Sequence, residues 1–201
     1  MSYEKSEIKI KQGRNDMNHE SLFREGSTPF LEEVLLNRER RAGFERKLTG
    51  TYPGTSILAF KLNIPGPVKN NEPIRCIFSL GKKDIERVLM NSGFKISYKK
   101  ELDLKTGPEL FLAVLASPVS LKTLMVALEE ETPLGRLYDI DILYDDQGEM
   151  KSIGRAQTGF PKRKCFVCEE DAKVCGRSRA HTILEMYDRI EEMMKNERRL
   201  T

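Results

Sequence analysis

At 201 residues and 39% hydrophobic content, the chain is long enough for one sizeable core, or a core with a small appendage. Charged residues make up 32%, yet the formal net charge is only +3. That balance excludes a general electrostatic pull towards nucleic acid or membrane and leaves any anion site to local clusters of Lys and Arg. No apolar run is long enough to span a bilayer, and the opening MSYEKSEIKIKQ lacks the apolar stretch of a signal peptide, so a cytoplasmic protein is expected.

In chain order, residues 1–26 are polar and without periodicity, and read as a mobile extension ahead of a single domain over residues 27–201. Thr28-Pro29 fits a helix N-cap followed by proline in the first turn. Leu31, Val34, Leu35 and Ala42 would give that helix an apolar stripe. Arg38, Arg40, Arg41, Arg46 and Lys47 make it strongly basic, as a solvated face or an anion-binding one. Residues 56–62 pattern as a strand and run into Asn63-Ile64-Pro65-Gly66-Pro67-Val68-Lys69, where two prolines and a glycine impose a stiff loop. A helix is expected over 81–91, with Cys76 ahead of it as a buried thiol.

Strands follow over 94–102 and 109–115, joined by a turn through Thr106-Gly107-Pro108. Ser117-Pro118 opens a helix whose Leu121, Leu124, Met125 and Leu128 fall at i, i+3, i+4 and i+7; Pro133 and Gly135 end it. Residues 137–144 form the clearest strand, and Asp145-Asp146-Gln147-Gly148 turns it into a partner near 150–157. In the last helix, Thr182 and Glu185 fit a capping box, and Ile183, Tyr187, Ile190 and Met194 mark the buried face. The sum is an α+β fold with an antiparallel or mixed sheet flanked by helices.

Successive side chains of a strand point to opposite faces. Tyr138, Ile140, Ile142 and Tyr144 therefore line one side, suited to a core, and Asp139 and Asp141 share the other, their Cα atoms roughly 6.5–7 Å apart. Two carboxylates so placed can converge on a hard cation such as Mg²⁺, which takes oxygen ligands and keeps substrate phosphate oxygens in its shell. Such an ion stabilises charge on a transferring phosphoryl group. Two exposed aspartates on an amphipathic strand are the plainer alternative, but like charges on one face repel unless a cation or arginine compensates. Gly135-Arg136 upstream resembles the Gly-Ser turn before the D-x-D motif of nucleotidyltransferases, with Arg replacing Ser. That superfamily's third carboxylate is not evident; Asp103 and Glu109 are candidates.

Cys165-x2-Cys168-x6-Cys175-x5-His181 has the ligand types and close spacing of a structural Zn²⁺ knuckle, although the second half lacks a paired C-x2-C or H-x3-H. His181 has a competing use: it precedes the capped helix start at Thr182, where free N–H groups attract anions. With Arg177, Arg179, Lys162, Arg163 and Lys164 nearby, residues 158–182 form a Cys/Arg-rich segment able to hold a diphosphate or triphosphate.

As a set, these residues bring a family into view. Over residues 30–197 the chain resembles the holo-acyl-carrier-protein synthases of citrate lyase, the apo-citrate lyase phosphoribosyl-dephospho-CoA transferases. The resemblance rests on Leu62-Asn63-Ile64-Pro65-Gly66-Pro67-Val68-Lys69, Thr106-Gly107-Pro108-Glu109 and Pro133-Leu134-Gly135-Arg136-Leu137-Tyr138-Asp139-Ile140-Asp141. It continues through Gly159-Phe160-Pro161-Lys162-Arg163-Lys164-Cys165 and Cys175-Gly176-Arg177-Ser178-Arg179-Ala180-His181. The departures are Tyr138 where the family often has Trp, and Gly154-Arg155 where it often has Ser-Arg.

The resemblance implies a nucleotidyltransferase-like fold and a reaction. A serine of the citrate lyase acyl carrier subunit would attack 2'-(5''-triphosphoribosyl)-3'-dephospho-CoA, releasing diphosphate and leaving a phosphodiester link. It implies Mg²⁺ on Asp139 and Asp141, triphosphate contacts from Arg136, Arg163, Arg177, Arg179 and His181, and Asn63 and Lys69 supplied by the stiff loop. Neither nucleic acid nor membrane is an expected partner. The rival readings are a related nucleotidyltransferase acting on another carrier, such as that of malonate decarboxylase, and a non-catalytic zinc-containing binding module.

Overall fold

A computed structural model describes residues 22–200. In chain order they form α1 (Leu31–Thr51), β1 (Ser56–Leu62), α2 (Glu72–Asn91), β2 (Lys95–Leu104), β3 (Gly107–Leu115), α3 (Pro118–Glu131), β4 (Tyr138–Asp146), β5 (Glu149–Ile153), α4 (Ala172–Ser178) and α5 (Ile183–Lys195). The strands make one sheet in the order β2-β3-β1-β4-β5, every neighbouring pair antiparallel, so the α+β class holds. Among the described residues, no helix is long and apolar enough to cross a membrane.

The period of two sorts the strands into two faces. Leu58, Phe60, Leu110, Leu112, Val114, Tyr138, Ile140 and Ile142 point to one, where buried residues of α2, α3 and α5 close the main core over them. On the other face lies a smaller core in which Leu48 of α1 meets Ile57, Ala59, Phe111, Ala113 and Leu143. Beyond that small core, towards Lys61, the same face carries charge instead.

Several local expectations give way. Helix α1 starts at Leu31, and Phe30 caps it: its N–H donates to Glu33 Oε2 at 2.8 Å. Its foreseen apolar stripe is open to solvent, with Leu31 69% and Leu35 47% exposed. Instead α1 docks through its second half, burying Glu45, Leu48 and Thr49. Helix α2 begins nine residues before the expected start at 81, because Asn71 Oδ1 accepts from the Ile74 N–H at 3.0 Å and Pro73 sits in the first turn. Gly81 is therefore interior, and for a packing reason: a Cβ there would meet the Phe60 ring at 2.6 Å and Tyr138 at 3.0 Å. Cys76 is half-exposed on this helix rather than buried, its Sγ 3.7 Å from Glu72 Oε1.

Strand β5 stops at Ile153, and Arg155–Thr158 is a 3-10 turn closed by the Gly154 N–H on Gln157 Oε1 at 2.7 Å. The expected extension also loses its last residues to the core. Phe23 is fully buried and stacks on Tyr187 with ring centroids 5.2 Å apart, and the Leu22 N–H donates to Glu191 Oε1 at 2.9 Å. The packed part thus reaches back at least to Leu22; residues 1–21, the rest of the expected extension, lie outside those described.

Candidate active site

Strands β3, β1 and β4 lie side by side, and their register sets the site. Lys61 of β1 stands directly opposite Glu109 of β3 on one side and Asp139 of β4 on the other; Asp141 pairs with Ala59. Residues opposite one another in an antiparallel pair share a face, so the four charged side chains form a cluster on the α1 side of the sheet. Lys61 Nζ hydrogen-bonds Asp139 Oδ2 and lies 3.9 Å from Asp141 Oδ2. A cation therefore does bridge the aspartates. It is the ammonium of Lys61, which the sequence reading did not single out.

Helix α1 completes the cluster from above. Asn37 Nδ2 donates to Glu109 Oε1 at 2.9 Å, and Arg41 lies 3.6 Å from both Glu109 and Glu45. Glu109 is buried, held by these two side chains, and stands in the same row as the pair; Asp103 is instead bound to Asn70, away from the row. Burial pushes the Glu45 carboxyl up to about 7, with Arg41 and Lys61 offsetting part of the effect and Asp141 and Glu109 adding to it.

A cavity of about 210 Å³ opens over this row, lined by Arg38, Arg41, Lys61, Asn63, Lys69, Glu109 and Asp139 among others. Its far wall is the stiff loop. The Asn63 N–H bonds the Leu137 carbonyl at 2.8 Å, and Lys69 Nζ donates to the Ile64 carbonyl at 2.7 Å, bracing the loop against itself. Burial lowers the Lys69 pKa, as it does for any ammonium taken from water.

The cysteine segment folds into a second centre. Cys165, Cys168, Cys175 and His181 bring their ligand atoms within 4.8 Å of one another. Cys168 Sγ is 3.5 Å from Cys175 Sγ and 3.2 Å from His181 Nε2. Four tetrahedral ligands with metal–sulfur bonds near 2.3 Å would hold their sulfurs roughly 3.8 Å apart, so this Cys3His set fits a metal ion such as zinc. Burial and the neighbouring thiols push the Cys175 thiol up to about 12. A bound cation reverses such a shift by favouring the thiolate.

Beside this centre lies a second cavity, of about 490 Å³, lined by residues that include Asn63, Arg136, Arg163, Arg179 and His181. The expected phosphate ligands are therefore split. Asn63 and Lys69 sit with Asp139; Arg136, Arg163 and Arg179 sit with the cysteines; only Asn63 borders both cavities, and Arg177 lines neither. Arg163 is already bound to the buried Glu129 and to the Tyr138 carbonyl, at 3.0 Å from the latter, which ties the segment to the start of β4. His181 turns to the thiols. At the helix start after it, the Glu185 carboxylate accepts from the Thr182 N–H at 2.7 Å and already places a negative charge there.

Lys61, Glu45 and Asn37 escaped prediction as site residues, and Arg41 was expected only as part of a basic helix face. Local pattern carries no sign of them, since what unites them is register and helix docking across the sheet.

Comparison with known proteins fits this arrangement. The family described as "Apo-citrate lyase phosphoribosyl-dephospho-CoA transferase" matches residues 30–197. A probable apo-citrate lyase phosphoribosyl-dephospho-CoA transferase of Streptococcus pyogenes serotype M18 is 38% identical over 164 residues, 82% of this chain and 84% of the relative. One of the same name from Vibrio cholerae serotype O1 is 34% identical over 164 residues, 81% of this chain and 90% of that protein. The chain belongs to the apo-citrate lyase phosphoribosyl-dephospho-CoA transferase family.

Proposed function

We propose that this chain attaches the 5''-phosphoribosyl-3'-dephospho-CoA group of 2'-(5''-triphosphoribosyl)-3'-dephospho-CoA to a serine of the citrate lyase acyl carrier subunit, at the acidic row. The observation that carries this reading is the clustering of Glu109, Lys61, Asp139 and Asp141 across three strands, under a cavity rimmed by Arg38, Arg41 and Lys69. Such a cavity matches a polyanion whose innermost phosphorus must meet an acidic centre.

In the step itself, the serine oxygen bonds to the phosphorus nearest the ribose and the bond from that phosphorus to the bridging oxygen breaks. Diphosphate leaves with that oxygen, and the hydroxyl proton passes to a carboxylate of the row. Arg38, Arg41 and Lys69 line the cavity where the departing charge needs balancing. Lys61 keeps the two aspartates together while no donor is bound, and its partly exposed ammonium is free to swing towards phosphate oxygens. A magnesium ion on Asp139 and Asp141 would supply further neutralisation of the triphosphate.

We assign zinc to the Cys3His centre as a structural ion, on ligand type and spacing. The setting inferred is the cytoplasm, where thiols stay reduced and available to a metal.

Asp139→Asn and Asp141→Asn each remove a charge without changing shape. Each is expected to reduce modification of the apo-carrier below about 1% of the unsubstituted rate, the range of effects expected for groups acting directly on the reacting phosphate. Intact mass spectrometry of the carrier reads this directly, and unimpaired modification by either variant would overturn the assignment.

A further inference from the structure

The second cavity differs from the first in its walls. Pro65, Phe166, Ile183 and Met186 give it an apolar side, and Arg136, Lys164 and Arg179 bring positive charge. The cavity over the acidic row has no aromatic lining; it combines Arg, Lys and carboxylates with the aliphatic Val34, Leu62, Ile64 and Ile74. A nucleotide has both a flat heterocycle and a charged tail, which the aromatic ring and the arginines of the second cavity match.

Two side chains show that this surface is built and left uncovered. Arg136 is half-buried in the turn before β4, yet among the described residues its guanidinium has no hydrogen-bond or ion-pair partner. Burial lowers its pKa, with Arg163 adding to the effect and Glu130 offsetting part of it. Ile183 belongs to the apolar stripe of α5 but is 45% exposed and borders the cavity. The opposite wall is held in place by the metal-binding set. Arg179 has a left-handed backbone, φ 51° and ψ 45°, between Cys175 and His181, and the Ala180 N–H closes the turn on the Cys175 carbonyl at 3.1 Å. A volume of about 490 Å³ lies in the range of cavities that take nucleotide-sized ligands.

We propose that the second cavity is the seat of the dephospho-coenzyme A half of the donor. The adenine ring lies against Phe166, Ile183 and Met186, and the 5'-diphosphate is held by Arg136 and Arg179. Asn63, which borders both cavities, marks where the donor passes from one to the other. The triphosphate then falls to Arg38, Arg41 and Lys69. This rests on the reaction proposed above and adds to it a division of the donor between two sites.

The test uses the full-length, metal-loaded chain and dephospho-coenzyme A as probe, a molecule lacking the triphosphoribosyl group. Calorimetry should show binding to the unsubstituted protein and to Asp139→Asn within twofold of each other. Arg136→Ala and Ile183→Asp should each weaken it at least tenfold. Ile183 is exposed, so its replacement leaves the core intact, and thermal unfolding confirms that both variants fold. Absence of binding, or equal binding to Arg136→Ala and Ile183→Asp, overturns the proposal. So does loss of binding in Asp139→Asn as large as in Arg136→Ala. Carrier modification by the unsubstituted enzyme separates the two ideas. If transfer occurs but dephospho-coenzyme A ignores the second cavity, only the division of the donor falls. If dephospho-coenzyme A binds as described and no carrier is modified, the reaction falls and the nucleotide site stands.

Discussion

The acidic row and the Cys3His segment hold polar groups in place by opposite means. The row stands on the three central strands of the sheet, where Lys61, Glu109 and Asp139 are fixed by the ladder and by packing beneath them. The segment over 158–182 has the seven-residue helix α4 and a bridge between Lys164 and Asp171, and its anchors include Arg163 on Glu129 and the thiol cluster. Precise geometry comes from the fold itself in the first case, and from a few ligands in the second. The first should survive changes that ruin the second.

Removing the metal separates the regions most sharply. One zinc per chain is expected by elemental analysis. Chelation, or Cys168→Ser, should raise the KM for the donor roughly ten- to a hundredfold, in line with losses seen when metal-site support is removed. The far-UV spectrum and the cooperative unfolding of the sheet should persist. A chain that collapses entirely on chelation would show that the two regions are one unit.

Gly81→Ala strikes the other region. The new methyl group would press on Phe60 and Tyr138, which directly precede Lys61 and Asp139 in the strands. Overpacking of this kind costs about 1–3 kcal/mol, so denaturant unfolding should shift by that amount while zinc content stays unchanged. Lost zinc in this variant would sink the idea that the regions are independent.

The narrowest effect concerns Glu45, because it is tied to one pH window. Its folded pKa of about 7 lies above the ordinary carboxyl value of 4.5, so the unfolded chain releases the proton first as pH rises. Between those pH values the folded state binds more protons, and stability falls as pH rises through that window. Above it the cost is constant. Glu45→Gln should flatten this fall and raise stability at neutral pH, on the order of 1–3 kcal/mol. Unfolding measured at pH 4 and pH 8 checks it: an unchanged slope would mean that Glu45 is ionised at little cost.

Much of the fold was legible because its signals are local. Ser117 before Pro118 does cap α3, accepting from the Ser120 N–H at 3.1 Å, and the Thr182–Glu185 box opens α5 as its spacing indicates. Misreadings came where a local signal had two meanings. Gly81 looks like a boundary, but two rings demand it inside a helix, and the true start at Asn71 lay hidden behind the loop's prolines. The leucines of α1 look like a buried stripe, but Leu31, Leu35 and Leu36 all face solvent.

For the site, the sequence by itself determined that Asp139 and Asp141 share a face and that three cysteines and a histidine lie close along the chain. Both follow from short-range geometry, a period of two in one case and a few residues of spacing in the other. Only the tertiary structure decided what stands beside them. Lys61 and Glu109 reach the aspartates through strand register, and Asn37, Arg41 and Glu45 through the docking of α1. Packing also divided one run of expected phosphate ligands between two cavities, bound Arg163 to Glu129 and turned His181 to the thiols. Those choices depend on residues tens of positions apart meeting across a sheet, which no local pattern encodes.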